Sequence, residues 1–209
     1  MLVKLFYCLI FFFFVSACTG FPNGVTPVEN FNINRYAGLW YEILRLDHSF
    51  ERDLTNVTAN YRINSSEDVI VLNRGSDRKT FQWEGADGIA KFQDIKEVAS
   101  LSVSFFWPFW GGYHVFVLDQ KNYNYALVSG PSYDYLWILA RQPKLDSKIK
   151  NLLLKKARLS GFGVKTLLKS ITQSQIVKRK INWINMTKQH WSIIALERTI
   201  EKEGKRPDP

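Results

Sequence analysis

The chain has 209 residues, 15% of them aromatic, and a formal net charge of +9. That length fits one domain with room for a core, and it excludes a miniature scaffold that depends on staples. No Gly-rich phosphate loop, zinc-finger spacing or other nucleic-acid motif accompanies the positive charge. The charge therefore points to a solvated basic surface or to anionic lipid headgroups, with no nucleic-acid partner expected.

Residues 1–17 read as a secretory signal. Lys4 supplies the positive start, Leu5 to Val15 form an apolar run with four consecutive phenylalanines, and Ser16 and Ala17 close it. A run of about eleven residues is too short to span ~30 Å of hydrocarbon as a helix. Val15-Ser16-Ala17-Cys18 resembles the lipobox of bacterial lipoproteins. That resemblance implies that Cys18 becomes the acylated first residue and the chain's link to a membrane. Thr19 after it is compatible with the outer membrane. The only other cysteine, Cys8, lies in the leader, so no disulfide within the folded domain is expected. Residues 18–30, rich in Gly, Pro, Asn and Thr, read as a flexible tether.

Short β-branched and aromatic runs follow. They predict strands at 39–46, 56–63, 68–74, 80–84 continuing to 88–93, 99–105, 113–119, 123–129 and 135–141. Asn64-Ser65-Ser66, Gly75-Ser76-Asp77 and Lys121-Asn122 supply turn chemistry, and Gly85 and Gly88 mark a bulge or bend. Evenly spaced short strands indicate a sandwich or a barrel, and periodicity does not choose between them. A helix is expected from Pro143 and Asp146 or Ser147 to Gly161, with Ile149, Leu152, Leu153 and Leu159 on its apolar side. A further short strand is expected near 164–171.

Three motifs carry a resemblance to a known family. Gly38-Leu39-Trp40, inside Asn34-Arg35-Tyr36-Ala37-Gly38-Leu39-Trp40-Tyr41-Glu42, resembles the first signature of the lipocalins. Asp134-Tyr135 resembles the second, and Arg141 the third. Arg45 to Arg52, Ser104 to Phe109, Gly111-Gly112-Tyr113 and Tyr135 to Leu139 resemble the bacterial outer-membrane lipocalins, a group close to apolipoprotein D. The resemblance covers residues 1–172. It implies an all-β fold: an eight-stranded up-and-down antiparallel barrel, with one C-terminal helix packed outside.

It also implies that Trp40 closes one end of the barrel beneath Arg141, with Gly38, Asp134 and Tyr135 as structural signature. Side chains alternate along a strand, so Trp137, Leu139 and Arg141 share a face. With Arg141 at the closed end, Trp137 and Leu139 face a cavity, together with Tyr113. Glu42 shares parity with Trp40 and is either a headgroup contact or a buried, hydrogen-bonded carboxylate. The loops 47–54, 105–112 and 130–134 gather at the open mouth, where Phe106, Trp107, Phe109 and Trp110 form an aromatic rim. The implied ligand is a fatty acid or lysophospholipid, held by a membrane-anchored carrier that serves the cell envelope.

No pair among His48, His114 and His190 has metal-ligand spacing, and no Gly-x-Ser-x-Gly elbow occurs. His48 reads as a solvated loop residue. No metal, cofactor or catalytic residue is expected. The competing readings are an enzyme that uses the cavity as its active site and an interaction protein with a filled barrel. Residues 173–209 carry eight Lys/Arg against four Asp/Glu and depart from the family pattern as a basic extension. The oligomeric state is open, a dimer included.

Overall fold

The computed structural model describes residues 19–169. The leader, Cys18 and the basic extension at 173–209 lie outside the described residues.

A one-turn helix α1 (Ile33–Tyr36) precedes eight strands: β1 (Gly38–Arg45), β2 (Leu54–Ile63), β3 (Val69–Asp77), β4 (Trp83–Phe92), β5 (Ser100–Phe106), β6 (Phe109–Leu118), β7 (Tyr125–Ser129) and β8 (Leu136–Ala140). Each pairs antiparallel with the next, and β1 pairs with both β2 and β8, so the sheet closes into a barrel. Helix α2 (Ser147–Leu159) follows, then a 3-10 turn at Val164–Thr166 and a two-residue strand β9 (Leu168–Lys169) against the end of β1.

Closure buries the inner face of the barrel, and α2 covers the outer face of β1, β7 and β8. On β8, Leu136, Ile138 and Ala140 face outward, where they pack with Leu153 and Ala157 of α2. Leu139 points inward among Trp40, Tyr36, Val71 and Leu101, and Trp137 packs beside it. The Asp146 carboxylate caps α2, accepting from Lys148 N at 2.8 Å, and Gly161 at φ +96° ends the segment. Leu152 and Leu159, read from the sequence as docking residues, are 48% and 74% exposed. Ala157 takes the place on the buried face, because its small side chain lets the helix approach the sheet.

Three local readings are corrected. Gly75-Ser76-Asp77 continues β3, and the turn falls at residues 78–82, where Asp77 Oδ1 accepts from Lys79 N and Thr80 N. No bulge interrupts the β3–β4 ladder at Gly85 or Gly88; its register runs unbroken from Val69↔Ala90 to Ser76↔Trp83. Those glycines permit close approach instead: a Cβ at Gly88 would stand 2.7 Å from the Ser104 carbonyl oxygen. Residues 19–30 are not a loose tether. Val25 joins the core under α2, Val28 N donates to Val115 O at 2.8 Å, and the Thr19 and Gly20 carbonyls accept from His114 Nε2. Valine and phenylalanine scattered among turn residues gave that segment apolar anchors that its composition concealed.

Candidate functional site

The closed end is built first, by Trp40. It is fully buried on β1, and its Nε1 donates to the carbonyl of Tyr36 at 2.7 Å. Arg141 spreads its guanidinium over the indole at 4.1 Å from the ring centre. Its hydrogens satisfy the carbonyls of Arg35, Tyr36, Ala37 and Leu39 at 2.7–3.0 Å. These carbonyls belong to α1 and the step into β1, where no further helical turn donates to them. Gly38, at φ +93°, makes the sharp step, and a Cβ there would touch Arg141 Nη1 at 3.4 Å.

Above this plug lies a cavity of about 670 Å³ that opens to solvent between the loops at the other end. That size falls within the roughly 300–1,000 Å³ of small-molecule pockets. Its floor carries three phenols: the Tyr113 hydroxyl stands 2.7 Å from that of Tyr36 and 2.8 Å from that of Tyr61. Burial holds all three well above the ordinary phenol value, so they stay neutral and serve as hydrogen-bonding groups, not charges. The walls are apolar, formed by Val57, Val69, Val71, Leu101, Val103, Phe105 and Leu139. Trp137 and Tyr135 line the upper wall, and Phe106, Phe109 and Trp110 line the mouth. A barrel with such a void is not filled by its own side chains, which sets aside the filled-barrel reading.

The mouth side of the wall holds a polar cluster. Arg45, fully buried, donates from Nη1 to Glu42 Oε1 at 2.6 Å and from Nη2 to the carbonyls of Glu51 and Leu54. Trp137 Nε1 donates to Glu51 Oε2 at 3.2 Å, and His48 Nε2 lies 3.3 Å from the same oxygen. Burial, and then the neighbouring Glu51 charge, push Glu42 up to about 8, against the pull of Arg45. Burial likewise raises Glu51. Burial, then the Arg45 charge, bring His48 down to about 4, so its imidazole is neutral near pH 7. The cluster therefore holds one fixed cation beside two carboxyl groups that resist full ionisation.

Of the residues singled out in the sequence, Trp137, Leu139, Tyr113 and Glu42 all line the cavity. Trp40 and Arg141 meet at its base, Tyr135 stands at its mouth, and Asp134 is exposed, accepting from Ser132 Oγ at 3.0 Å. Glu42 is the buried, hydrogen-bonded carboxylate, 4% exposed, and it also faces the cavity. His48, read as a solvated loop residue, is 6% exposed and stacks on Phe50 at 4.1 Å. Arg45, Glu51 and the floor tyrosines Tyr36 and Tyr61 were not singled out. The i,i+3 pairs Glu42/Arg45 and His48/Glu51 are in the sequence, but a bulge between Glu42 and Leu44 changes strand parity and turns Arg45 inward. Among the described residues no group of His, Cys, Asp and Glu is placed to hold a metal.

A closed eight-stranded barrel, plugged at one end and hollow toward the other, defines a protein with one blind-ended, largely apolar cavity of small-molecule size. Residues 31–172 match a family model described as a lipocalin-like domain, and the chain belongs to the lipocalin family. It is 44% identical over 154 residues to "Outer membrane lipoprotein Blc" of Vibrio cholerae, covering 74% of this chain and 90% of that protein. It is 46% identical over 154 residues to the protein of the same name from Escherichia coli K12, covering 73% and 86%. Bovine apolipoprotein D is 37% identical over 131 residues, covering 56% of this chain and 64% of its own length. Among solved structures, the cockroach allergen Per a 4 superposes with a TM-score of 0.59 at 17% identity, over 76% of this chain and 98% of that one. Insecticyanin from the tobacco hornworm Manduca sexta gives 0.58 at 17% identity, over 75% and 89%. These two show the fold alone.

Proposed function

We propose that this protein binds, stores or transports an acyl lipid, a fatty acid or lysophospholipid, without chemical change, as a lipid-anchored protein of the bacterial outer membrane in the upkeep of the cell envelope. The blind-ended apolar cavity carries the reading. An eight-stranded barrel has space for one small ligand. A hydrocarbon chain gains about 0.8 kcal/mol per CH₂ removed from water, and here the middle of the cavity wall is apolar, with polar atoms at the floor and toward the mouth. The names of the Vibrio and Escherichia relatives support the location, and the Cys18 lipobox supports the anchor. No nucleophile–base pair faces the cavity among the described residues. Its floor holds neutral phenols, and its mouth side a carboxyl cluster tied to Arg45 together with Asn73, Arg74 and Glu84, which suits recognition better than turnover.

Native mass spectrometry of the full chain purified from the membrane tests this. An acyl lipid retained unaltered is the expected result. A reproducibly empty barrel, or a product replacing added lipid, contradicts it.

A further inference from the structure

The residues beside the expected anchor are fixed to the barrel wall. Thr19, the residue after Cys18, has its carbonyl held by His114 Nε2 at 3.0 Å and Gln93 Nε2 at 2.7 Å. The Gly20 carbonyl lies 2.9 Å from the same imidazole, and Phe21, 46% exposed, meets that ring edge-on at 5.0 Å. The segment lies directly over Gly112 of β6, where a Cβ would stand 2.7 Å from both carbonyl oxygens. The acyl chains of Cys18 therefore emerge one residue from a fixed point on the β5–β6 wall.

That point is near the mouth. From Gly112 to Phe109 is three residues of one strand, about 10 Å at roughly 3.3 Å per residue. There β5 and β6 join through a two-residue turn that bears the most exposed aromatic side chains of the described residues: Phe106 at 76%, Trp107 at 85% and Phe109 at 67%. The neighbouring β3–β4 turn adds Phe81 at 60% and Trp83 at 56%. Exposed aromatics gathered at one end mark an interaction surface, and indole and phenyl rings favour the membrane–water interface.

We infer that the anchor and the aromatic β5–β6 turn contact the same bilayer, so that the barrel mouth opens onto the lipid in which Cys18 is embedded. A tether long enough to let the barrel drift would carry no such constraint; the clamp at Thr19 removes that slack. An acyl lipid would then pass between leaflet and cavity past Phe106, Phe109 and Trp110 without crossing bulk water. This orientation rests on the carrier and anchor readings above. The contact is chiefly apolar: near the rim Arg52 pairs with Asp47, Arg74 with Asp87 and Lys79 with Asp53, and the exposed Arg78 and Glu84 are opposite in sign, so salt should alter it little.

The test uses the acylated full-length protein in phosphatidylcholine–phosphatidylethanolamine vesicles. With Cys8 lost in the leader and Cys18 acylated, a Trp107→Cys variant offers a single thiol for an environment-sensitive fluorophore. Trp107 does not line the cavity, and a probe there leaves Phe106 and Phe109 of the turn in place. Ser65→Cys, in the exposed turn at the closed end, is the comparison. Quenching of the residue-107 probe by nitroxide lipids but not by aqueous iodide, the reverse at residue 65, and the same pattern in high salt are expected. Phe81→Cys, labelled in the same way, repeats the measurement on the adjacent turn. Acylated, vesicle-bound protein whose 107 and 81 probes are quenched by iodide like the 65 probe overturns the orientation and leaves the anchor and carrier readings standing. Protein that stays in the supernatant with no acyl mass overturns the anchor, and the orientation with it. Loss of nitroxide quenching in high salt overturns aromatic docking.

Discussion

Trp40 and Arg141 lie 101 positions apart in the chain and act as one closure. The indole fills the base, and the guanidinium covers it while satisfying carbonyls that α1 leaves open. Truncating a fully buried large aromatic typically costs about 3–5 kcal/mol, so Trp40→Ala should lower stability by that amount. Arg141→Ala should cost less. In a double-mutant cycle followed by urea denaturation the two should couple, since removing either exposes the other; strict additivity would show that the contact does not matter. Glu42 gives a second residue-scale expectation. Between the ordinary carboxylate value of 4.5 and about 8, the folded protein keeps a proton at Glu42 that the unfolded chain has released, so stability falls as pH rises through that window. His48 acts oppositely: its folded value near 4 lies below the unfolded 6.5, so stability rises with pH between those values. Above about pH 6.5 the His48 contribution is complete and only the carboxyl contribution remains. The urea midpoint should therefore drop between about pH 6.5 and about pH 8.5, and Glu42→Gln should flatten the drop. A wild-type midpoint unchanged over that range would mean that Glu42 is already ionised. Trp40, Arg141 and the inward Trp137 were legible in the sequence, because signature residues and plain alternation place them. Arg45 was not, because one bulge at residue 43 reverses the parity on which alternation depends, and His48 and Glu51 were not, because they lie in the loop between β1 and β2, where no alternation applies.

At the scale of elements, the strands and α2 were legible within a few residues, since each couples β-branched or amphipathic patterning to turn residues at its ends. Composition misread the segment before α1. Gly, Pro and Asn suggest slack, yet residues 19–31 carry Phe21, Val25, Val28 and Phe31, and their carbonyls find donors on the wall. Gly112 makes that packing feasible, as it leaves the wall open where the chain crosses. Gly112→Ala puts a methyl group 2.4 Å from His114 Nε2 and 2.7 Å from two carbonyl oxygens, so either the segment or the imidazole has to move. Hydrogen exchange should show protection lost at residues 19–25 while β1 and β8 keep theirs. Equal protection in the variant and the wild type would show that the segment is not seated over Gly112.

For the whole molecule, two apolar layers serve different ends. The outer one, between β7, β8 and α2, is packed solid around Leu127, Leu136, Ile138 and Leu153, all fully buried. The inner one is packed around Trp40 and Tyr36 and then gives way to the cavity. The rigid outer layer and the plug let the upper barrel stay hollow without collapse. The size and lining of that hollow were not legible in the sequence. They depend on which of many inward side chains, such as Val57, Val69 and Val103, stop short of the axis. A sixteen-carbon chain fully buried there gains roughly 12 kcal/mol, and lost ligand freedom offsets several of these. An affinity between about micromolar and tens of nanomolar follows.

The most direct test is a titration of the mature protein with fatty acids of eight to sixteen carbons, read by fluorescence, with Trp137→Phe as the spectral control. Trp137 lines the upper cavity wall, and its Nε1 is bonded to Glu51, so an arriving chain should change its emission. If the cavity holds the acyl chain, affinity rises steeply with length, by orders of magnitude from eight to sixteen carbons, and the signal is lost in Trp137→Phe. Affinity independent of chain length would contradict the account.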